Sequence, residues 1–248
     1  MISALDRLRA LRTRPYNFLS RSQSSEGAQL ASSVLDDLFR DRRLPSFAEL
    51  AEIVTNPHAL SGFHDWCQRT RRFTLWTREA IDELATYLRE RGFTRVVEIG
   101  AGRGDLAWYL SGAGVDVVAT DAGPRMLEAF TLPQYRSLPV EMWENVRWLD
   151  WRAALSSLDP DCVLCSWMPP DEDWTPGLRS AESVKEFVLF WELRGTTGGK
   201  SAFQRRTEWL ARDIVTVEDW LIGRTDEGVV GFGVTQYTKA TAFRRAEP

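Results

Sequence analysis

The chain is poor in the residues that build covalent or metal-held scaffolds: 248 residues include three cysteines and two histidines. An odd set, Cys67, Cys162 and Cys165, does not make a disulfide framework, so reduced thiols are expected. Cys162 and Cys165 form C-x-x-C, but successive strand positions face opposite sides, and no second cysteine pair or histidine cluster accompanies them. No metal is expected. Long apolar runs are also missing, since no segment approaches the roughly 20 residues needed to cross a bilayer. The expectations are no membrane partner and a cytoplasmic location. The net charge of −4 provides no overall basic surface, so no nucleic acid partner is expected. Lysine is confined to Lys185, Lys200 and Lys239, a scarcity that genomic base composition explains. Internal repeats and low-complexity tracts are absent, and nothing marks a linker between independent domains.

What the chain does have is enough apolar sequence for one substantial α/β core with an N-terminal extension. Residues 1–92 read as a helical extension. Its first segment, with Leu5, Leu8 and Leu11 among Arg7, Arg9, Arg12 and Arg14, imitates an organellar presequence, but Asp6 and the lack of a long polar spacer favour an amphipathic capping helix. Arg21 to Gly27 reads as a polar loop, Pro45 opens a helix running through Ala51, and Thr77 to Arg91 carries Ile81, Leu84, Ala85 and Leu88 at helical spacing before Gly92 ends it. The extension is expected to lie over the C-terminal ends of the strands as a lid. Residues 93–248 alternate strand and helix: strands at 95–99, 116–121, 146–149, 161–166 and 184–192, helices at about 104–112 and 124–130. A loop holds Pro133 and Pro139, a helix contains Trp209 and Leu210, and segments near 213–218 and 234–243 complete a seven-stranded sheet.

The most informative stretch is Val96-Val97-Glu98-Ile99-Gly100-Ala101-Gly102-Arg103-Gly104-Asp105, followed by Val117 to Asp121. A strand that turns sharply into a helix beneath a ligand needs backbone without Cβ atoms, which Gly100, Gly102 and Gly104 provide. Asp121 ends the next strand about 20 residues on, where an acid accepts hydrogen bonds from a ribose diol. A dinucleotide fingerprint would carry a third glycine where Asp105 stands, and a carboxylate at that helix N-terminus repels phosphate. With Glu98 just before the turn, the site suits a ligand carrying ammonium or sulfonium groups.

E-x-G-x-G-x-G followed by a strand-terminal Asp resembles the first motif of the class I S-adenosylmethionine (SAM)-dependent methyltransferases. The resemblance implies a Rossmann-like seven-stranded sheet with an antiparallel last strand, and SAM as cofactor. It places Gly100, Ala101, Gly102 and Gly104 under the methionine half, Glu98 near the amino group and Asp121 on the ribose. Asp150-Trp151 after the third strand matches the place of an adenine-binding carboxylate, with the indole free to stack on the purine, while Asp150 also suits the N-cap of the helix that follows. Ser166-Trp167-Met168-Pro169-Pro170-Asp171 resembles a variant of the (D/N/S)-P-P-(Y/F) motif of amino-group methyltransferases, with Ser166 at the cofactor and Trp167 walling a substrate pocket. Serine in place of the amide, two residues before the prolines and Asp171 in the aromatic position are departures that count against methylation of DNA bases. Across residues 63 to 245 the pattern also resembles a little-characterised bacterial group of methyltransferase-like proteins.

Candidate bases are Glu192, His64 and Asp171, with pairing of Glu192 to Arg194 or a lid arginine as its simpler role. Trp66 and Trp76 are candidate pocket walls, since aromatic faces accommodate a sulfonium, although their spacing also suits helix-to-sheet packing. The expected function is SAM-dependent methyl transfer to an O or N atom of a small molecule, possible without a dedicated base because the sulfonium is already activated. Alternatives are a SAM-dependent cyclisation or aminocarboxypropyl transfer, a non-catalytic SAM-binding partner subunit and, weakest, a nicotinamide dehydrogenase. The sequence leaves the oligomeric state open.

Overall fold

The computed structural model describes residues 3–12, 21–123, 133–139, 141–193, 197–204, 206–229 and 233–246. Helices α1 (Ala4–Arg12), α2 (Arg21–Leu38), α3 (Phe47–Val54) and α4 (Leu60–Thr70) precede a short strand β1 (Thr74–Leu75) and helix α5 (Arg78–Arg91). The α/β part follows: β2 (Val96–Ile99), α6 (Asp105–Gly112), β3 (Val117–Asp121), β4 (Val146–Trp148), β5 (Cys162–Ser166), β6 (Glu186–Glu192), β7 (Trp209–Asp213), β8 (Ile222–Gly223), β9 (Glu227–Val229), β10 (Gly233–Thr235) and β11 (Thr238–Arg245). Helices Trp151–Leu158, Thr175–Ser180 and Val215–Glu218 lie between these strands.

Seven strands form one sheet in the order β4-β3-β2-β5-β6-β11-β7. The first five run parallel, and β11 is antiparallel to both β6 and β7. Both faces of the sheet are covered, which is why its central strands are mostly apolar. Cys162 packs on one face and Cys165 on the other, as strand alternation requires.

Helix α5 puts Ile81, Leu84, Ala85 and Leu88 against the sheet, whereas α1 to α4 have their own core around Leu35, Leu50, Ile53, Phe63 and Trp66. Thr77 caps α5 by accepting from Ala80 N–H at 3.1 Å, and Gly92 ends it in the left-handed region. The capping box of Ser46 and Glu49 starts α3, so this helix begins two residues after Pro45.

Four expectations are corrected. Arg21 to Gly27 is the start of α2, not a loop. A Cβ on Gly27 would lie 2.2 Å from His58 O, and one on Gly62 in α4 2.2 Å from Ala28 O, so these glycines serve close approach of backbones. Trp209 and Leu210 open strand β7 instead of a helix, because Trp209 packs inward on Phe187 while Leu210 points to solvent, a period of two. Residues Val215–Glu218, expected as a strand, form a short helix. The final strand begins at Thr238, and residues from 233 belong to a separate β9–β10 hairpin. The helix expected at 124–130 lies outside the described residues. Among those described, no helix is long and apolar enough to cross a membrane.

Candidate functional site

Strand β2 is flanked by β3 on one side and β5 on the other, so the connections leaving their C-terminal ends diverge and open a crevice. A cavity of about 350 Å³ fills it. Its walls come from the glycine turn after β2, the end of β3, Asp150-Trp151-Arg152, the segment after β5, and Arg71 to Trp76 of the N-terminal part. Within that last segment, β1 pairs with β8.

Gly100, Gly102 and Gly104 adopt φ of +63°, +55° and +89°. Gly100, Ala101 and Gly102 line the cavity. Gly104 does not; a Cβ there would lie 2.5 Å from Val146 Cγ2, so its freedom serves packing of the turn against β4. Asp121 is clamped from both sides: Gly102 N–H donates to Oδ2 at 2.8 Å and Gly123 N–H to Oδ1 at 2.7 Å. Burial pushes its carboxyl above the ordinary value, and these two amides oppose the shift. Glu98 is fully buried at the cavity wall, with Oε2 accepting from Ala107 N–H at 3.1 Å. Burial, reinforced by Asp105 and Asp121 and opposed by that amide, pushes it up to about 8.

Asp105 requires a correction. Its carboxylate does not stand alone at the N-terminus of α6: Arg72 Nε donates to Oδ2 at 2.9 Å, and Arg103 Nε lies 3.9 Å from Oδ1. The cavity therefore carries guanidinium groups beside its carboxylates, a balance that only the folded arrangement reveals. Asp150 caps the helix that follows β4 and reaches the cavity. Its Oδ1 accepts from Ala153 N–H at 2.8 Å as an N-cap, and the residue lines the cavity. Trp151 also lines it, near-parallel to Trp174 with ring centroids 6.2 Å apart. Trp151 rests on Gly177, where a Cβ would lie 2.3 Å from the ring. Ser166, Trp167 and Trp76 complete the expected set at the cavity.

The other sequence candidates lie elsewhere. Trp66 is buried in the core of the N-terminal helices, its indole N–H donating to Asp36 at 2.7 Å. His64, on α4 beside Phe63, is outside the cavity lining. Glu192 is buried at the end of β6 near Arg224, its own N–H donating to Thr197 Oγ1; it is not in the lining either. Arg194, its other suggested partner, lies outside the described residues. Asp171 adopts φ of +63° and faces solvent, and the next residue, Glu172, lines the cavity instead. Sequence reasoning also passed over Arg71, Arg72, Thr74 and Trp174. Arg72 and Thr74 lie in the extended stretch between two helices, where no periodicity marks an inward side chain.

A comparison with protein-family models finds no match, and one with curated proteins finds none either. Among solved structures, the chain is similar to mitomycin 7-O-methyltransferase MmcR with 16% identity and TM-score 0.40, covering 96% of this chain and 75% of that one. It is similar to an O-methyltransferase family protein from Burkholderia thailandensis with 11% identity and TM-score 0.40, covering 98% and 82%. Magnesium protoporphyrin IX methyltransferase from Synechocystis PCC 6803 with bound SAH aligns with 13% identity and TM-score 0.38, covering 86% and 99%. The seven-stranded sheet with β11 antiparallel agrees with the fold that the sequence resemblance implies.

Proposed function

We propose that this chain is a cytoplasmic enzyme that binds SAM and directs its methyl group to an O or N atom of a small molecule. The observation that carries the reading is the Asp121 carboxylate, clamped by Gly102 and Gly123 N–H at the crevice of a class I sheet. The donor set fits the cofactor end to end. Asp121 accepts from the ribose hydroxyls, and Asp150 with Trp151 receives the adenine. Glu98 faces the ammonium, and Arg72 and Arg103 supply positive charge for the carboxylate. Asp105, in the first turn of α6, puts a carboxylate where the pyrophosphate of a dinucleotide would approach, which supports SAM over a dinucleotide. When bound, SAM supplies a methyl group on a positively charged sulfur. The protein's share is to position the two reactants and exclude water.

Incubation with labelled SAM and an extract of the native host, followed by mass spectrometry, tests this. Labelled methyl product with S-adenosylhomocysteine is the expected result. Methylthioadenosine would instead mean loss of the amino-acid portion, and saturable SAM binding without turnover would mean a binding subunit.

Glu98 makes a pH prediction. Its carboxyl is raised from 4.5 to about 8 by burial, so its contribution to stability is fully present below 4.5 and declines as pH rises toward 8. An ammonium favours the ionised form, so SAM affinity is expected to rise between about pH 6 and pH 8, by at most about tenfold per pH unit, with proton release. Above that the ligand's own amino group deprotonates and opposes the gain. Calorimetry in buffers of different ionisation enthalpy measures the proton. Glu98→Gln should flatten the profile, and an unchanged slope in this variant would remove the assignment.

A further inference from the structure

Two glycines seat two indoles at the cavity. A Cβ on Gly100 would lie 3.0 Å from both Cζ3 and Cη2 of Trp174, and one on Gly177 would lie 2.3 Å from Cζ3 of Trp151, so each glycine is bare where a ring rests on it. Trp174 belongs to a segment fastened at several points. Its N–H reaches Met168 Sδ at 3.4 Å, Glu172 N–H donates to Pro169 O at 3.1 Å, and Gly199 N–H donates to Glu172 O at 2.6 Å. Trp174 is 7% exposed, and its Nε1 donates to Glu172 Oε2.

Five aromatic side chains, Phe73, Trp76, Trp151, Trp167 and Trp174, line the cavity, and their charged neighbours differ. Arg224 Cζ lies 4.4 Å from the ring centroid of Phe73 and 4.8 Å from that of Trp167, and Arg152 Cζ lies 4.2 Å from that of Trp151. A guanidinium over a ring draws on the same negative quadrupole that a second cation would use, so these rings are already engaged. Trp76 packs edge-on with Phe190 in the sheet core, centroids 4.9 Å apart, and carries neither a guanidinium nor a carboxylate among the described residues. Trp174 is the lining ring with a carboxylate on its N–H and, among the described residues, no guanidinium over its face. An anion accepting from an indole N–H pushes electron density into the ring and strengthens its negative faces.

Position agrees with polarity. On the SAM reading above, the methionine half lies over Gly100 to Gly102, the adenine lies at Trp151, and the sulfonium joins the two through the ribose. Trp174 touches Gly100 at one end and lies near-parallel to Trp151 on the other side, so it flanks that junction. Resting on that reading, we propose that Trp174 is the residue that distinguishes SAM from its demethylated product by charge, with Glu172 acting through it. The positively charged sulfur of SAM is attracted to the electron-rich ring; the neutral thioether of S-adenosylhomocysteine is not. The attraction is greatest before transfer and fades as the charge on sulfur is lost, so it favours exchange of product for fresh donor and adds nothing to kcat.

The test is the ratio of the dissociation constants of S-adenosylhomocysteine and SAM, measured by calorimetry on the whole chain without an acceptor. Both ligands share every contact except those to the charged sulfur and its methyl group, so a merely structural loosening weakens them in parallel and leaves the ratio unchanged. Trp174→Leu, which keeps an apolar contact for the methyl group, is expected to lower the ratio about tenfold, and Trp174→Phe about threefold. Trp76→Phe and Trp151→Phe should leave it within about twofold of the parent. Glu172→Gln, which keeps an acceptor for the indole N–H, should lower the ratio about threefold in the parent and leave it unchanged in Trp174→Leu, because the carboxylate acts through the ring. An unchanged ratio in Trp174→Phe and Trp174→Leu, or an equal fall in Trp76→Phe, overturns the proposal. Additive effects of Glu172→Gln and Trp174→Leu overturn the route through the ring, since the carboxylate would then be the sulfonium's own partner. If neither ligand binds the parent protein, the SAM reading itself has failed, a result that no change of ratio imitates.

Discussion

Asp121→Ala is expected to lower affinity for S-adenosylhomocysteine by about 100-fold or more. Two ribose hydroxyls donating to an ionised carboxylate contribute about 1.5 to 3 kcal/mol each, and about 1.4 kcal/mol corresponds to a factor of ten. The substitution also strips the partner from Gly102 N–H and Gly123 N–H, so the glycine turn and the end of β3 lose the clamp that aligns them. Asp121→Asn separates these effects. Its single amide oxygen can satisfy only one of the two N–H groups, so it should bind weakly as well, with a smaller loss of stability. Calorimetric titration gives the affinity, and thermal unfolding without ligand gives the clamp's share. Parent-like affinity in Asp121→Ala would sink the cofactor assignment.

The second large effect is expected at the buried pair of Arg72 and Asp105. Side-chain exposures of 8% and 12% leave little water to screen it. Removing one partner of such a pair destabilises by about 3 to 5 kcal/mol, because the other charge stays buried without compensation. Asp105→Ala is therefore expected to lower stability by this amount in denaturant unfolding, since it abandons Arg72 and takes one of two nearby acids from Arg103, itself mostly buried. Replacing both partners, as Arg72→Met with Asp105→Leu, should recover much of the loss. A double-mutant cycle showing no interaction energy would mean that the pair does not tie the segment after α4 to the glycine turn.

The parts of the fold legible in sequence were those with local signals. Val96 to Ile99 and Val117 to Asp121 are apolar runs bounded by glycine or an acid. The helix ending at Gly92 carries both its period and its stop. The misreadings share a cause: the deciding contact was distant in sequence. Gly27 looks like loop punctuation until His58 is seen against it, and Trp209 looks helical until Phe187 on another strand claims it. Asp171 and Glu172 are adjacent carboxylates, and only the positive φ of Asp171 shows which one turns to the cavity.

By itself, the sequence determined the strand-turn-helix unit with Glu98, the glycine turn and Asp121, because a sharp turn, a buried acid and a strand-terminal carboxylate are requirements on neighbouring residues. It also determined that a parallel sheet follows, through the alternation of apolar strands and amphipathic helices. Tertiary structure alone decided the charge balance of the cavity and which distant side chains meet in its wall. Arg72 reaches Asp105 across 33 residues, and Trp167 reaches Thr74 across 93. Electrostatic compensation and hydrogen-bond direction depend on distances of a few ångströms between segments that folding brings together, and no local pattern encodes those distances.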